Sequence, residues 1–323
     1  MARVALDAMG GDYAPAEIIA GGVAAAEAGH DVILVGEPSV IAEGLAALDS
    51  DLPVVPASQV IEMGDDPARA IREKPDSSIA VATRLVKAGE ADAVVSAGST
   101  GATLAAAAVI LRRVPGVLRP AVASIFPTPG SHTVVLDSGA NPECKPEHLV
   151  QFGMMGAVLA ELYLGVLHPR VGLLNIGEEE GKGRELEKHA YELLRATDLN
   201  FIGNVEGRDL ASDRADVFVT DGFTGNVLLK TTEGAVQFIA QFLEAALAKL
   251  PPEDLTVVAP AIAEVRKGVD HEEHGGGHLL GTNGVVVIAH GSSSRIAVAN
   301  AVGMASEGAD RDLSGHVARR LGA

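Results

Sequence analysis

Small polar and charged residues interleaved with glycine recur along this chain in short runs. They read DAMGGD at 7–12, SAGSTGA at 96–102, DSGAN at 137–141, NIGEEEGKG at 175–183, TDGFTGN at 220–226 and AHGSSSR at 289–295. Each run follows a short apolar stretch and precedes one with helical spacing, so each reads as the turn from a strand's C-terminal end into a helix. Glycine at such a turn lets the backbone approach a ligand and adopt positive φ. Helix N-termini add unpaired N–H groups and a partial positive charge, which favour phosphate. Any one of these runs alone is ordinary turn and cap chemistry. In an open α/β sheet they would face one crevice, so together they predict a single anion-binding crevice.

The runs also exclude some chemistries. The fingerprint G-x-G-x-x-G is missing after the first strand, which argues against an ordinary dinucleotide site. The stretch Gly177–Glu178–Glu179–Glu180–Gly181–Lys182 fails as a P-loop: the glycines stand too close, Gly183 replaces the Ser or Thr, and three glutamates would repel a triphosphate. Lys182 is nonetheless the one basic side chain in these runs apart from Arg184 and Arg295. It could swing to a phosphate as a mobile charge, or be a surface lysine paired with Glu178–Glu180. His271, Glu272, Glu273, His274 and His278 resemble metal ligands, but the H-e-x-x-H spacing fails by one residue, and a polar loop beside three glycines is expected. Cys144 and His148 could pair as nucleophile and base, but a bystander thiol is the better reading. No metal and no cofactor is expected.

The elements that must position these runs alternate strand and helix, with strand patterns at 4–6, 31–35, 53–56, 93–96, 121–125, 133–136, 171–175, 201–203, 217–220 and 285–289. Helical spacing fills 16–28, 77–88, 100–113, 148–164 and 184–196. Hydrophobic residues make up 47%, with aromatics only 3% and no Trp, so the core is aliphatic. These features predict an α/β fold, a three-layer sandwich around a mainly parallel sheet, with residues 1–323 forming a single domain. One segment departs from the pattern. A long helix is expected over 227–250, stopped by Pro251 and Pro252, and a second piece over 261–268. Residues 227–275 would then form a projecting helical hairpin and loop. Its stripe of Ala235, Phe238, Ile239, Phe242, Ala246 and Leu250 reads as a core face or dimer seam before a membrane-surface face. The net charge of −18 argues against nucleic-acid binding. A single cysteine, no signal-like start and no long uninterrupted apolar run lead to an expectation of a cytoplasmic protein.

Taken as longer strings, ALDAMGGD, DDPARAIREKPDSSIAVA, VSAGSTGA, EHLVQFGMMG, PRVGLLNIGEEEGKG, NFIGNVEGRD, DGFTGNVLLK and LLGTNGVVVIAHGS closely resemble the phosphate acyltransferases of bacterial phospholipid synthesis, the PlsX family. The resemblance runs in order from the first strand to the last helix. It implies a fold similar to isocitrate and isopropylmalate dehydrogenases and to phosphotransacetylase. It also implies conversion of acyl-acyl carrier protein and inorganic phosphate to acyl phosphate and free carrier protein. A homodimer, peripheral membrane contact and a downstream acylglycerol-phosphate acyltransferase are implied as well. By the same resemblance Lys182 and Asn226 carry the chemistry, binding phosphate or stabilising the thioester oxyanion. Ser99, Thr100 and Gly101 would cradle phosphate, and Asp7, Gly10, Gly11 and Asp12 would shape the crevice wall, the two carboxylates orienting loop N–H groups or the lysine. Gly139, Ala140, Asn141, His290, Gly291 and Ser292 would be neighbours. Arg184 stands where the family pattern has a small polar residue. Because carrier protein is acidic, a local basic patch is expected, with Arg112, Arg113 and Arg119, or Arg266 and Lys267, as candidates. The alternatives are a phosphotransacetylase-like enzyme using acyl-CoA, a more distant metal-dependent dehydrogenase, and a non-catalytic lipid-synthesis scaffold.

Overall fold

The computed structural model describes residues 1–128, 130–269 and 275–322. Its first strands are β1 (Arg3–Asp7), β2 (Asp31–Gly36), β3 (Val54–Pro56) and β4 (Ala93–Ser96). A hairpin follows, β5 (Ala121–Thr128) and β6 (Ser131–Leu136), then β7 (Arg170–Leu174), β8 (Asn200–Val205) and β9 (Val217–Val219). The last pair is β10 (Gly277–Leu280) and β11 (Val285–Ile288). All join one sheet in the order β3-β2-β1-β4-β11-β10-β5-β6-β9-β7-β8. The strands on each flank are parallel to one another. Antiparallel pairing occurs where β10 meets β11 and β5, and where β5 meets β6. The two flanks therefore run in opposite directions.

Strand alternation divides the core into layers. One face carries Val4, Leu6, Val32, Leu34, Val95, Val134, Leu136, Val171, Leu173, Val217 and Val219 in one continuous apolar cluster. Helices α1 (Ala16–Glu27), α6 (Pro146–Leu159), α7 (Glu185–Arg195), α10 (Arg295–Asp310) and α11 (Leu313–Arg320) contribute to it. The other face is discontinuous. Ala5, Ile33, Val35, Val94 and Val122 pack with α3 (Pro67–Glu73), α4 (Ser78–Ala88) and α5 (Thr100–Ala106). Phe126, Val135, Leu174, Val205 and Phe218 form a separate cluster. Between the two, on β5, stands Ser124, whose Oγ lies 2.7 Å from that of Ser138. α2 (Pro38–Ala47) packs at the β3 end of the sheet.

The hairpin segment becomes α8 (Gly222–Leu247) and α9 (Pro252–Val269). α8 begins earlier than the sequence predicts, because Asp221 caps it by accepting from Thr224 N at 2.7 Å. Leu228 and Leu229 anchor it against the second cluster of the broken face. Beyond them Phe238, Ile239 and Phe242 are 60–65% exposed, so within this chain the stripe is not a core face. Among the described residues no helix is long and apolar enough to cross a membrane.

The strand β10 was not expected. His271 to His274 lie outside the described residues, but the polar-loop reading fails at His278. That residue is 1% exposed in β10, with the Tyr163 ring edge-on to it at a centroid distance of 4.8 Å. Among the described residues neither ring nitrogen has a hydrogen-bond partner, and burial lowers its pKa from 6.5 to about 3. The folded protein holds this imidazole neutral while the unfolded chain protonates it. Stability is therefore lost as pH falls from the ordinary histidine value toward the folded one. The variant His278→Leu should escape this loss, at most ~1.4 kcal/mol per pH unit. Thermal scans should show its Tm rising relative to wild type between about pH 7 and about pH 5. A difference that does not change with pH would contradict the assignment.

Candidate active site

Strand direction sorts the glycine-rich loops into two groups. Those following β1, β4 and β11 leave one edge of the sheet, and those following β6, β9 and β7 leave the opposite edge. The expectation that all would open at one end is corrected by β10 and β5, whose antiparallel pairing reverses the second flank. A hydrogen bond across the divide brings the groups together: Lys230 Nζ of α8 lies 2.9 Å from His290 Nε2 in the loop after β11.

The second group is organised by Asp137, a residue the sequence reading did not single out. Its fully buried carboxylate accepts from the backbone N–H groups of Val122 (3.1 Å), Gly139 (3.0 Å), Ala140 (2.9 Å) and Asn141 (2.7 Å). Burial nevertheless raises its pKa against these hydrogen bonds. Asn141 also commits its side chain, donating from Nδ2 to Asp137 Oδ2 and Pro120 O, both at 2.8 Å. The loop's donors are thus occupied by the protein's own anion, and Asn141 and Ala140 do not offer theirs to phosphate. The backbone of Asp137 meets α8 at Gly225, where a Cβ would stand 1.9 Å from the Asp137 carbonyl oxygen. Only glycine permits that approach. One residue on, Asn226 is an exposed helical residue rather than part of a loop. Its side chain stands beside Gly139, where a Cβ would lie 3.7 Å from its Oδ1.

Lys182 belongs to the same group, in the loop between β7 and α7. Its side chain is half exposed, and among the described residues Nζ reaches only Glu179, at 3.8 Å. The other glutamates are held by arginines, Glu178 by Arg214 and Glu180 by Arg195, each at 2.5 Å. Lys182 is therefore left lightly paired. Arg184 has a structural use: it pairs with Glu187 of α7 and, at 2.5 Å, with Asp221 at the start of α8. This double ion pair ties the lysine loop to the asparagine helix.

In the first group Asp7 is 2% exposed and faces inward. Its carboxylate accepts from Ser96 Oγ at 2.7 Å and Met9 N at 3.3 Å, with further bonds from Ser78 and the Gly10 backbone. Burial outweighs these and raises its pKa. Asp12 N donates to Gly291 O at 2.7 Å, and Gly11 lies against Gly291 and Ala97, joining the loops after β1, β4 and β11. Ser99 caps α5, its Oγ accepting from Ala102 N at 3.4 Å. The space bounded by Asp7, Gly10, Ser96, Gly98 and Ser99 is about 10 Å³, the scale of one water and too small for phosphate. Gly101 packs against Pro67, where a Cβ would come within 2.6 Å of Cγ, so this glycine serves packing between α5 and α3. Thr100 is exposed. His290 Nδ1 lies 2.7 Å from Ser292 Oγ.

Arg112, Arg113 and Arg119 line one surface depression of about 690 Å³ with Ala108, Val109 and Pro120. Among the described residues none of these arginines pairs with a carboxylate; Arg113 donates to the Leu118 carbonyl. Arg266 and Lys267 lie at the end of α9, and their side chains fall outside the described ones. Among the described residues no cluster of His, Cys, Asp or Glu could hold a metal ion.

The fold recurs in solved structures of other proteins. It is similar to a phosphotransacetylase from Streptococcus pyogenes, with a TM-score of 0.66 and 19% identity, covering 96% of this chain and 94% of the other. A 4-hydroxythreonine-4-phosphate dehydrogenase from Klebsiella pneumoniae aligns with a TM-score of 0.55 and 14% identity, covering 95% of this chain and 98% of the other. Such identities show the fold alone. Sequence goes further. The chain is 50% identical over 313 residues to a phosphate acyltransferase from Desulfitobacterium hafniense, covering 95% of this chain and 93% of that protein. It is 46% identical over 324 residues to a phosphate acyltransferase from Thermosynechococcus vestitus, covering 97% and 93%. A family model described as fatty acid synthesis protein matches residues 2–315. The chain belongs to this phosphate acyltransferase family of enzymes.

Cys144 sits beside the site without the properties of a nucleophile. Burial, with the nearby Asp137 and Asp221 carboxylates, pushes its thiol up to about 12. Iodoacetamide at about pH 8 should therefore label it far more slowly than a free cysteine, and Cys144→Ala should keep activity within about twofold of wild type. Rapid labelling with matching loss of activity would overturn this.

Proposed function

We propose that this enzyme transfers the acyl group of an acyl-[acyl-carrier protein] thioester to inorganic phosphate. A phosphate oxygen attacks the thioester carbonyl, the C–S bond breaks, and the phosphate proton leaves with the carrier thiolate as free thiol. Phosphate dianion needs orientation more than deprotonation, and orientation is work that fixed loops perform. The tetrahedral oxyanion needs positive or N–H donors, each typically contributing ~3–4 kcal/mol. Lys182 supplies charge, and the Asn226 amide supplies a donor close to Gly139. The observation that supports this most is the pairing across Arg184, which holds the lysine loop against the start of α8.

The surrounding reading follows the family. The arginines at 112, 113 and 119, which pair with no carboxylate among the described residues, would receive the acidic carrier protein. A second copy of the chain would cover part of the exposed apolar stripe of α8, with peripheral membrane contact at the rest. The acyl phosphate product would feed acylation of glycerol 3-phosphate in the cytoplasm, upstream of an acylglycerol-phosphate acyltransferase.

Purified protein incubated with palmitoyl-carrier protein and phosphate should give a phosphate-dependent hydroxamate on trapping with hydroxylamine. Lys182→Ala should reduce it at least ~100-fold, in line with loss of an oxyanion partner. Product from palmitoyl-CoA alone would transfer the reading to the coenzyme-A enzymes, and undiminished product from the variant would remove Lys182 from the chemistry. Replacing Arg112, Arg113 and Arg119 together by Glu should raise KM for acyl-carrier protein about tenfold or more while leaving KM for phosphate unchanged. Equal KM values for the thioester would remove the depression as its docking surface.

A further inference from the structure

Three carboxylates occupy the backbone donors that glycine-rich loops might have turned toward phosphate. Asp137 takes those of 139–141, Asp7 those of Met9 and Gly10, and Asp221 that of Thr224. Those N–H groups are spent, and side chains are the other source of positive charge for an incoming dianion. Lys182 is one. A second cation, placed between the two loop groups, is Lys230, which the sequence reading passed over inside GNVLLK.

Lys230 lies one helical turn beyond Asn226, on the same face of α8. Its ammonium donates to His290 Nε2 and to Glu233 Oε2, each at 2.9 Å. Since an ammonium only donates, Nε2 is the acceptor; Nδ1 lies 2.7 Å from Ser292 Oγ and 3.3 Å from Ser292 N. The third ammonium donor has no partner among the described residues, and the side chain remains 47% exposed. The pair with Glu233, three residues along the same helix, joins a half-exposed ammonium to a carboxylate that is 23% exposed.

We propose that Lys230 is a second phosphate-binding cation, shared by both loop groups. His290 and Ser292 fix where its ammonium sits, and its free donor takes a phosphate oxygen on the Asn226 side. Bound phosphate thereby joins a helix from one sheet edge to a loop from the other. This rests on the reading of the enzyme as a phosphate-dependent acyltransferase.

The test compares wild type with Lys230→Met and Lys230→Arg by hydroxamate assay and by the rise in Tm on adding inorganic phosphate. The Met variant should raise KM for phosphate at least ~10-fold, keep KM for the thioester within about twofold, and lose most of the phosphate-induced Tm rise. The Arg variant should recover KM for phosphate to within about threefold of wild type. A Met variant with unchanged phosphate KM and an unchanged Tm response would overturn the proposal, as would an equal rise in both KM values. If wild type formed no acyl phosphate, the transfer reading would fall, and the phosphate-dependent Tm of the Met variant would still decide the role of Lys230.

Discussion

The site depends on a buried charge that is not part of any substrate. Asp137 is removed from water and survives there only because the chain folds back to give it four backbone N–H groups and a side-chain amide. Satisfying that carboxylate fixes the loop after β6 and brings its main chain against Gly225. That contact in turn fixes where α8 starts and hence where Asn226 stands. Asp7 repeats the device in the other loop group. Both carboxylates have raised pKa values because burial outweighs their hydrogen bonds, so the architecture sustains them at a cost that the surrounding packing offsets. The consequence for chemistry is a division of labour. Backbone donors in these loops hold the scaffold's own anions, and in the proposed mechanism a ligand that must come and go falls to the flexible lysines.

Sheet polarity sets the second constraint. The flanks run oppositely because β10 and the β5–β6 hairpin intervene, so loops with the same local grammar emerge at opposite edges. They share a site only through something that crosses between them. One apolar face is interrupted at the Ser124–Ser138 pair, and α8 packs Leu228 and Leu229 against the cluster beyond that break.

Much of this was legible in the sequence. Buried parallel strands announce themselves as short runs of Val, Ile and Leu, and β1, β2, β4 and β9 fall within a residue or so of expectation. The loops between them are equally visible, as is the long helix. What was hidden depends on tertiary packing. Gly277–His278–Leu279–Leu280 carries too little β signal beside a run of glycines, and becomes a strand because β5 and β11 flank it. Gly222 and Gly225 read as helix breakers, and become helical because the 137–141 backbone requires residues without side chains there. Asp137 looks like a turn residue until its partners from β5 and the following loop are assembled. Lys230 looks like an ordinary helix-surface lysine, since nothing in sequence places it near His290, sixty residues away.

α8 is also a mechanical element. From Asn226 to Phe242 it extends ~24 Å at ~1.5 Å per residue, and its near end is pinned where Gly225 meets Asp137. The aromatic pair Phe238 and Phe242, with ring centroids 4.7 Å apart, forms an exposed handle on the far part of the rod. A displacement of ~2 Å at that handle corresponds to a tilt of ~5° about the pin and moves Lys230, ~7.5 Å from it, by ~0.6 Å. That is the tolerance within which reacting groups have to be held. Whatever grips the handle and whatever binds beside Asn226 therefore load the same lever, and the leverage is built into where one glycine meets one carbonyl.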